Sequence, residues 1–160
     1  MGIRTRFAMK TEYGVRAMFE LAVHHGGDAI QSAEIARRER IPGPFLDQVL
    51  LILRRAGLIR SVRGPHGGHL LTRSPSEIRL DEVIATLEGP GTETDCASHE
   101  DASPYGCILH GVTKQADAAA RRVYAAHTLA DLLRDRPSGA PVFHGIFKPV
   151  PGRPRRAARG

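Results

Sequence analysis

Apolar residues recur at three- and four-residue intervals through much of the chain, and most runs end at a glycine or proline cluster. From Thr11 to His25, the residues Val15, Met18, Phe19, Ala22 and Val23 share one side of a helix, and Gly26-Gly27-Asp28 stops it. Ser32 to Arg40 predicts a short second helix with Ile35 and Ala36 inward. Ile41-Pro42-Gly43-Pro44 breaks that helix, because proline disfavours a helical residue before it and supplies no N–H. A third helix follows at once from Pro44 to Ala56. Phe45, Leu46, Val49, Leu50 and Leu53 form its apolar face, Asp47, Gln48, Arg54 and Arg55 face outward, and Gly57 is placed to cap it.

The period then changes. Leu58-Ile-Arg-Ser-Val62 and His69-Leu-Leu71 partly alternate on either side of Arg63-Gly-Pro-His-Gly-Gly68, which predicts a hairpin with a basic, glycine-rich tip. Leu80 to Glu88 is a further helix, introduced by Pro75 and stopped by Gly89-Pro90-Gly91. Polar residues up to 106 predict a loop, and Cys107 to about Asp135 predicts one long helix. Its inward residues are Ile108, Val112, Ala116, Ala119, Val123, Ala126, Leu129 and Leu133, more apolar stripe than one small domain covers, so a homodimer is expected. From Arg136 the chain is rich in Pro, Gly and Arg without apolar period, which predicts disorder, with Val142-Phe143 and Ile146-Phe147 as a docking spot. The fold class is mainly α with a small β-hairpin. A winged helix-turn-helix occupies 9–89, a cysteine-containing loop 90–106, a dimerisation helix 107–135 and a basic tail 136–160.

Composition narrows this picture. The 160 residues suit one domain with appendages. With no run of about 18 apolar residues and no secretory signal at Met1 to Ala8, a cytoplasmic protein without membrane association is expected. The net charge of +6 is less informative than its location. Six basic residues and no acid lie beyond residue 135, leaving the remainder neutral. Within that body, residues 31–73 hold eight arginines against three acids, whereas 74–101 hold eight acids against Arg79. A basic stretch so confined suits phosphate contact.

Two short helices, a tight turn and a basic hairpin are the parts of a double-stranded DNA reader, with the second helix of the pair in the major groove. Gln48 has the geometry to pair with adenine, and Asp47 to accept from a cytosine amino group. Arg63 at the hairpin tip suits a narrow minor groove, and Gly64, Gly67 and Gly68 would permit close backbone approach. Arg37, Arg38 and Arg60 are placed for phosphates, which position a protein without specifying sequence.

Several of these segments carry a resemblance. Met9-Lys-Thr-Glu-Tyr-Gly-Val-Arg-Ala-Met18, Phe45-Leu-Asp-Gln-Val-Leu50 and the run from Leu53 through the hairpin to Leu71 resemble the IscR/NsrR/CymR family of bacterial winged-helix regulators. So does the pattern from Ile78 through Leu80 and Val83 to Gly89, and the likeness extends from residue 9 to about 135. It implies a sequence-specific transcription regulator, a repressor on an inverted-repeat operator, with base contacts from Asp47, Gln48 and Arg63. The chain departs from the family at Pro42, Pro44 and Phe45, where hydroxyl-bearing residues are usual. His66 and His69 likewise replace the usual wing glycine and tyrosine, so the operator sequence does not carry over.

Many members of that family hold an iron-sulfur cluster through three cysteines, and this chain has two. Cys96 and Cys107 match the first and last, while Glu100 to Ser103 stands where the middle one is found. The resemblance makes His110 a candidate nitrogen ligand and Glu12 a candidate acidic ligand reaching across the dimer; His99 is a further local donor. Iron-sulfur clusters accept nitrogen in place of thiolate, and a 2Fe-2S cluster is the form favoured. Cys96, His99, Cys107 and His110 would equally suit tetrahedral zinc, and free thiols sensing oxidants or a regulator with no cofactor remain open. An enzyme using Cys107 and His110 as nucleophile and base is disfavoured, since no acid is placed to orient the histidine.

Overall fold

The computed structural model describes residues 7–89 and 104–134, the side chains of 104–107 excepted. Helices α1 (Met9–Val23), α2 (Ser32–Glu39) and α3 (Gly43–Arg55) precede a hairpin of β1 (Ile59–Val62) and β2 (Gly68–Leu71). A single 3-10 turn (Pro75–Glu77), α4 (Leu80–Glu88), α5 (Pro104–Ala125) and α6 (Leu129–Arg134) complete the order.

Helix α1 is central, packing against α2, α3, α4, α6 and β2. The pattern that predicted its inward face holds, with Val15, Met18, Phe19 and Ala22 buried. Burial extends around the helix to Thr11, Gly14, Ala17 and Glu20. Gly14 permits this, because a Cβ there would stand 2.3 Å from Leu87 Cδ1 on α4. The Thr11 hydroxyl donates to the Glu88 carboxylate, tying the start of α1 to the end of α4.

Helix α2 ends where Arg40 adopts a left-handed conformation at φ 53°, and the Ile41 N–H donates to Ala36 O at 2.9 Å. The chain turns sharply into α3, whose first turn contains Pro44. Proline costs nothing there, since the early N–H groups of a helix have no partner within it. Leu46, Val49, Leu50 and Leu53 enter the core, and Gly57 at φ +75° ends the helix while the Leu58 N–H donates to Leu53 O at 3.0 Å.

The hairpin is antiparallel, pairing Ile59 with Leu71 and Ser61 with His69. It also has a third, one-residue edge: Ile30 donates to His69 O at 3.1 Å and accepts from His69 N at 2.8 Å. Gly68 makes that approach possible, as a Cβ on it would lie 2.4 Å from the Ile30 carbonyl carbon and oxygen.

The C-terminal segment differs from the single helix expected over 107–135. Helix α5 starts earlier, at Pro104, and ends at Ala125, and a separate α6 begins at Leu129. Thr128 and Asp131 make the break: Thr128 N donates to Asp131 Oδ2 at 2.9 Å, and Asp131 N donates to Thr128 Oγ1 at 3.2 Å. This reciprocal pair is a capping box, which satisfies N–H groups at a helix start. The 126–128 segment is held by Leu80 N to His127 O and Leu129 N to Ile78 O, both at 2.9 Å. Leu129 is wholly buried in the same core as Phe19 and Leu53. Leu133 of the expected stripe is half-buried against that core, whereas Ile108, Val112, Ala116, Ala119 and Val123 lie exposed along α5 and Ala126 is exposed just after it.

Candidate nucleic-acid interface

Because α3 commits one face to the core, Asp47, Gln48, Arg54 and Arg55 are left on its exposed face. Its position is set from both sides. Phe45 packs edge-on against Tyr13 of α1 with ring centroids 5.3 Å apart, and the Arg16 guanidinium lies 5.6 Å from the Tyr13 ring. Arg16 also pairs with Glu39 of α2 at 3.2 Å. An aromatic contact thus replaces the hydroxyl lost at Phe45, anchoring the start of the helix to the core rather than reaching outward.

The hairpin stands beside α3, packed on it through β1. Arg63 is exposed at the tip and Arg60 is exposed on β1. The three tip glycines serve different ends. Gly64 has φ +117° with open space around its Cβ position, whereas a Cβ on Gly67 would sit 2.4 Å from Val62 O. Gly67 and Gly68 are therefore required by packing within the protein, and the expectation that they free the backbone for DNA applies only to Gly64.

Arg37 and Arg38 part company. Arg37 has a side chain 75% exposed and, among the described residues, a single ion-pair contact at 3.7 Å with Glu34. Arg38 is held 2.6 Å from the buried Glu20 carboxylate and 2.6 Å from Glu34, and its Nη1 lies 2.8 Å from His24 Nε2. Hydrogen bonds to Glu20 and then Glu34 raise its pKa further. Its guanidinium locks α2 to α1 and is not free for a phosphate as expected.

His69 was not among the expected contacts, yet it lies at the junction of hairpin and α3, its Nδ1 3.4 Å from Ser61 Oγ. Burial lowers its pKa, Arg54 lowers it further, and Asp47 opposes them. Only the hairpin register reveals this placement, because it puts Ser61 opposite His69.

The candidate cofactor ligands are distributed differently. Cys96 and His99 lie outside the described residues, as does the tail from 135 onward. Cys107 falls in the first turn of α5, and His110 follows one turn later. That spacing puts the two on one side of a helix. His110 Nε2 is shielded from solvent without a hydrogen-bond partner among the described residues, a free nitrogen donor of the kind a metal would use. Glu12 lies on α1 with a carboxylate oxygen 3.9 Å from Arg16. Among the described residues no group of three or more His, Cys, Asp or Glu is gathered into a metal site. Nor is any helix there long and apolar enough to cross a membrane.

A family model described as Rrf2, iron-dependent transcriptional regulator, matches residues 7–135. The HTH-type transcriptional regulator IscR of Cereibacter sphaeroides is 30% identical over 158 residues, spanning 91% of this chain and 97% of that protein. Among solved structures, CymR of B. subtilis, described as its global cysteine regulator, is similar with a TM-score of 0.70 at 30% identity, covering 84% of this chain and 100% of that one. T. potens IscR is similar with a TM-score of 0.68 at 35% identity, covering 81% and 87%. The helix-turn-helix, the hairpin and these relatives agree: the chain belongs to the Rrf2 family, DNA-binding transcription regulators similar to IscR and CymR, and is not an enzyme.

Proposed function

We propose that this regulator is a homodimeric repressor that binds an inverted-repeat operator, α3 entering the major groove and the Arg63 tip the adjacent minor groove. The observation that carries the reading is the exposed face of α3, with Asp47, Gln48, Arg54 and Arg55, fixed beside the hairpin by the core beneath both. Asp47, Gln48 and Arg63 read bases. Arg37 and Arg60 hold phosphates, and Arg38 acts on DNA only by positioning α2. The dimer is supported by Ile108, Val112 and Val123, 66%, 57% and 58% exposed in the single chain. Such a stripe calls for a partner helix.

Ligation at the start of α5 sets the DNA affinity. Cys96, Cys107 and His110, with Glu12 from the partner protomer or His99, hold a 2Fe-2S cluster. A cluster of this kind supplies one-electron chemistry and reactivity toward oxidants. His110 Nε2, shielded from solvent and without a hydrogen-bond partner among the described residues, supports a metal-bound state over a bare helix. The similarity to CymR favours a second reading, in which Cys96 and Cys107 act as thiols without metal.

Anaerobically purified protein tests both readings. Iron and acid-labile sulfide, with visible absorbance lost in Cys107→Ser, are expected. Colourless, metal-free protein whose DNA affinity still responds to oxidant would transfer the function to the thiols. Binding unchanged in Cys96→Ser and Cys107→Ser under every redox condition would refute sensing altogether. On a duplex selected from a randomised pool, Gln48→Ala should cost about 1–3 kcal/mol and relax one base position. Arg63→Ala should remove protection at the footprint edges. Unchanged affinity and footprint in both would refute the DNA-reading geometry.

A further inference from the structure

The hairpin has two faces, and its register assigns them. Ile59 and Leu71 are paired and buried, 2% and 6% exposed, so they mark the face turned toward the helices. Alternate residues along a strand share a face, so Ser61 and His69 continue that face beyond the edge of the core. Helix α3, on which β1 packs, stands beside that edge. Asp47 and Arg54 are seven residues apart, two helical turns, and both exert a charge effect on His69. His69 is also held firmly in place, since its backbone bonds to Ile30 in both directions and it pairs with Ser61 across the hairpin.

We propose that His69, with Ser61 and Arg54, forms a seat for one DNA phosphodiester in the corner between α3 and the hairpin, and that its imidazole takes up a proton from solvent when the phosphate arrives. The inference rests on the DNA-binding reading above. With a helix in the major groove and a hairpin tip in the minor groove, the backbone strand dividing those grooves passes through this corner. The Ser61 hydroxyl lies 3.4 Å from the imidazole, and the Arg54 guanidinium is near enough to act on that ring electrostatically. Such a set suits an anion, not a base edge.

The electrostatics supply the proton linkage. In the free protein, burial and then Arg54 hold the imidazole below its ordinary pKa, with Asp47 acting the other way, so the neutral form is favoured. A phosphate in contact adds negative charge at the ring and favours the imidazolium, which then donates to it. The charged groups facing the ring are thus Arg54 and Asp47 from α3, with Ser61 from β1; the Ile30 segment meets His69 through its backbone.

Binding to a selected duplex, measured by fluorescence anisotropy from pH 6 to 8.5 at fixed salt, tests the seat. Wild-type affinity is expected to fall with rising pH by up to about tenfold per unit for each engaged protomer. His69→Gln should flatten that slope, and at pH 6.5 it should lower the salt dependence by about one counterion per protomer. His66→Gln, at the exposed tip, should retain the wild-type slope. As a second measurement on unaltered protein, the His69 ring titrated by NMR should show its pKa rise when duplex is added. A slope that survives His69→Gln, or a ring whose titration does not move with DNA, would overturn the seat while leaving DNA binding intact. Failure of the wild type to bind any duplex at low salt would overturn the DNA-binding reading and the seat together.

Discussion

Gly68→Ala tests how the hairpin is attached to the helices. A Cβ at residue 68 would stand 2.4 Å from the Ile30 carbonyl carbon and oxygen and 2.8 Å from Gln31 N. These are backbone atoms, so no side chain can swing away to make room. Relief requires Ile30 and the hairpin to separate by about 1 Å, which carries both Ile30–His69 hydrogen bonds past the useful range. The bonds measure 3.1 and 2.8 Å, and at about 0.5–1.5 kcal/mol each they account for about 1–3 kcal/mol. Partial exposure of Ile30, now 7% exposed, brings the expected loss to roughly 2–4 kcal/mol. Against a total stability of about 5–15 kcal/mol, the thermal midpoint should fall by roughly 4–16 °C. Gly111→Ala is the reference, because nothing among the described residues lies within 4 Å of a Cβ there and, inside α5, alanine is the better helix former. Urea unfolding followed by circular dichroism gives the energies, and amide exchange at Ile30 and His69 reads the two bonds directly. A Gly68→Ala protein as stable as Gly111→Ala, with both amides still protected, would refute the reasoning.

Leu129→Ala should cost about 2–5 kcal/mol in the same unfolding assay, since Leu129 is fully buried, whereas Val112→Ala on the exposed stripe should cost little in the isolated chain. Equal losses at low protein concentration would mean that α6 does not belong to the core. Arg38→Met should destabilise by about 1–2 kcal/mol by removing the 2.6 Å guanidinium partner of the buried Glu20, which keeps His24 at 3.6 Å, a figure reduced because the Arg38 side chain is 37% exposed; Arg37→Met should be neutral. His69 should make the free protein less stable as pH falls below about 6.5, because the unfolded chain then binds a proton more readily than the fold does. The difference in unfolding energy between wild type and His69→Gln should change across that window and stay constant above it. Val112→Glu with Val123→Glu should give a folded monomer by analytical ultracentrifugation; an unchanged dimer would place the interface elsewhere.

Local pattern was enough for the elements and for the face each presents. Leu46, Val49, Leu50 and Leu53 repeat at helical spacing, so Asp47 and Gln48 had to lie outside. Pro42 before α3, Pro44 in its first turn, Gly57 after it and the glycine-rich tip marked the ends of elements because their backbone preferences act within a few residues. The break at 126–128 was written in the sequence as Thr128-x-x-Asp131, but the apolar spacing runs on through Leu129 and Leu133 and conceals it. Whether a chain continues as a helix there depends on what waits to receive it, and the Ile78–Leu80 segment does so.

Partners separated by many residues were decided only by the tertiary structure. Arg38 looked like a free cation until α1 brought Glu20 against it, and Gly68 looked like a tip glycine until Ile30 approached it. His69 gained its place beside Asp47 and Arg54 because the hairpin register and the packing of β1 on α3 act together. Periodicity is a property of neighbours along the chain, so it tells which side of an element is wet. Charge pairing and close backbone approach belong to neighbours in space, and the sequence by itself holds no record of which residues those will be.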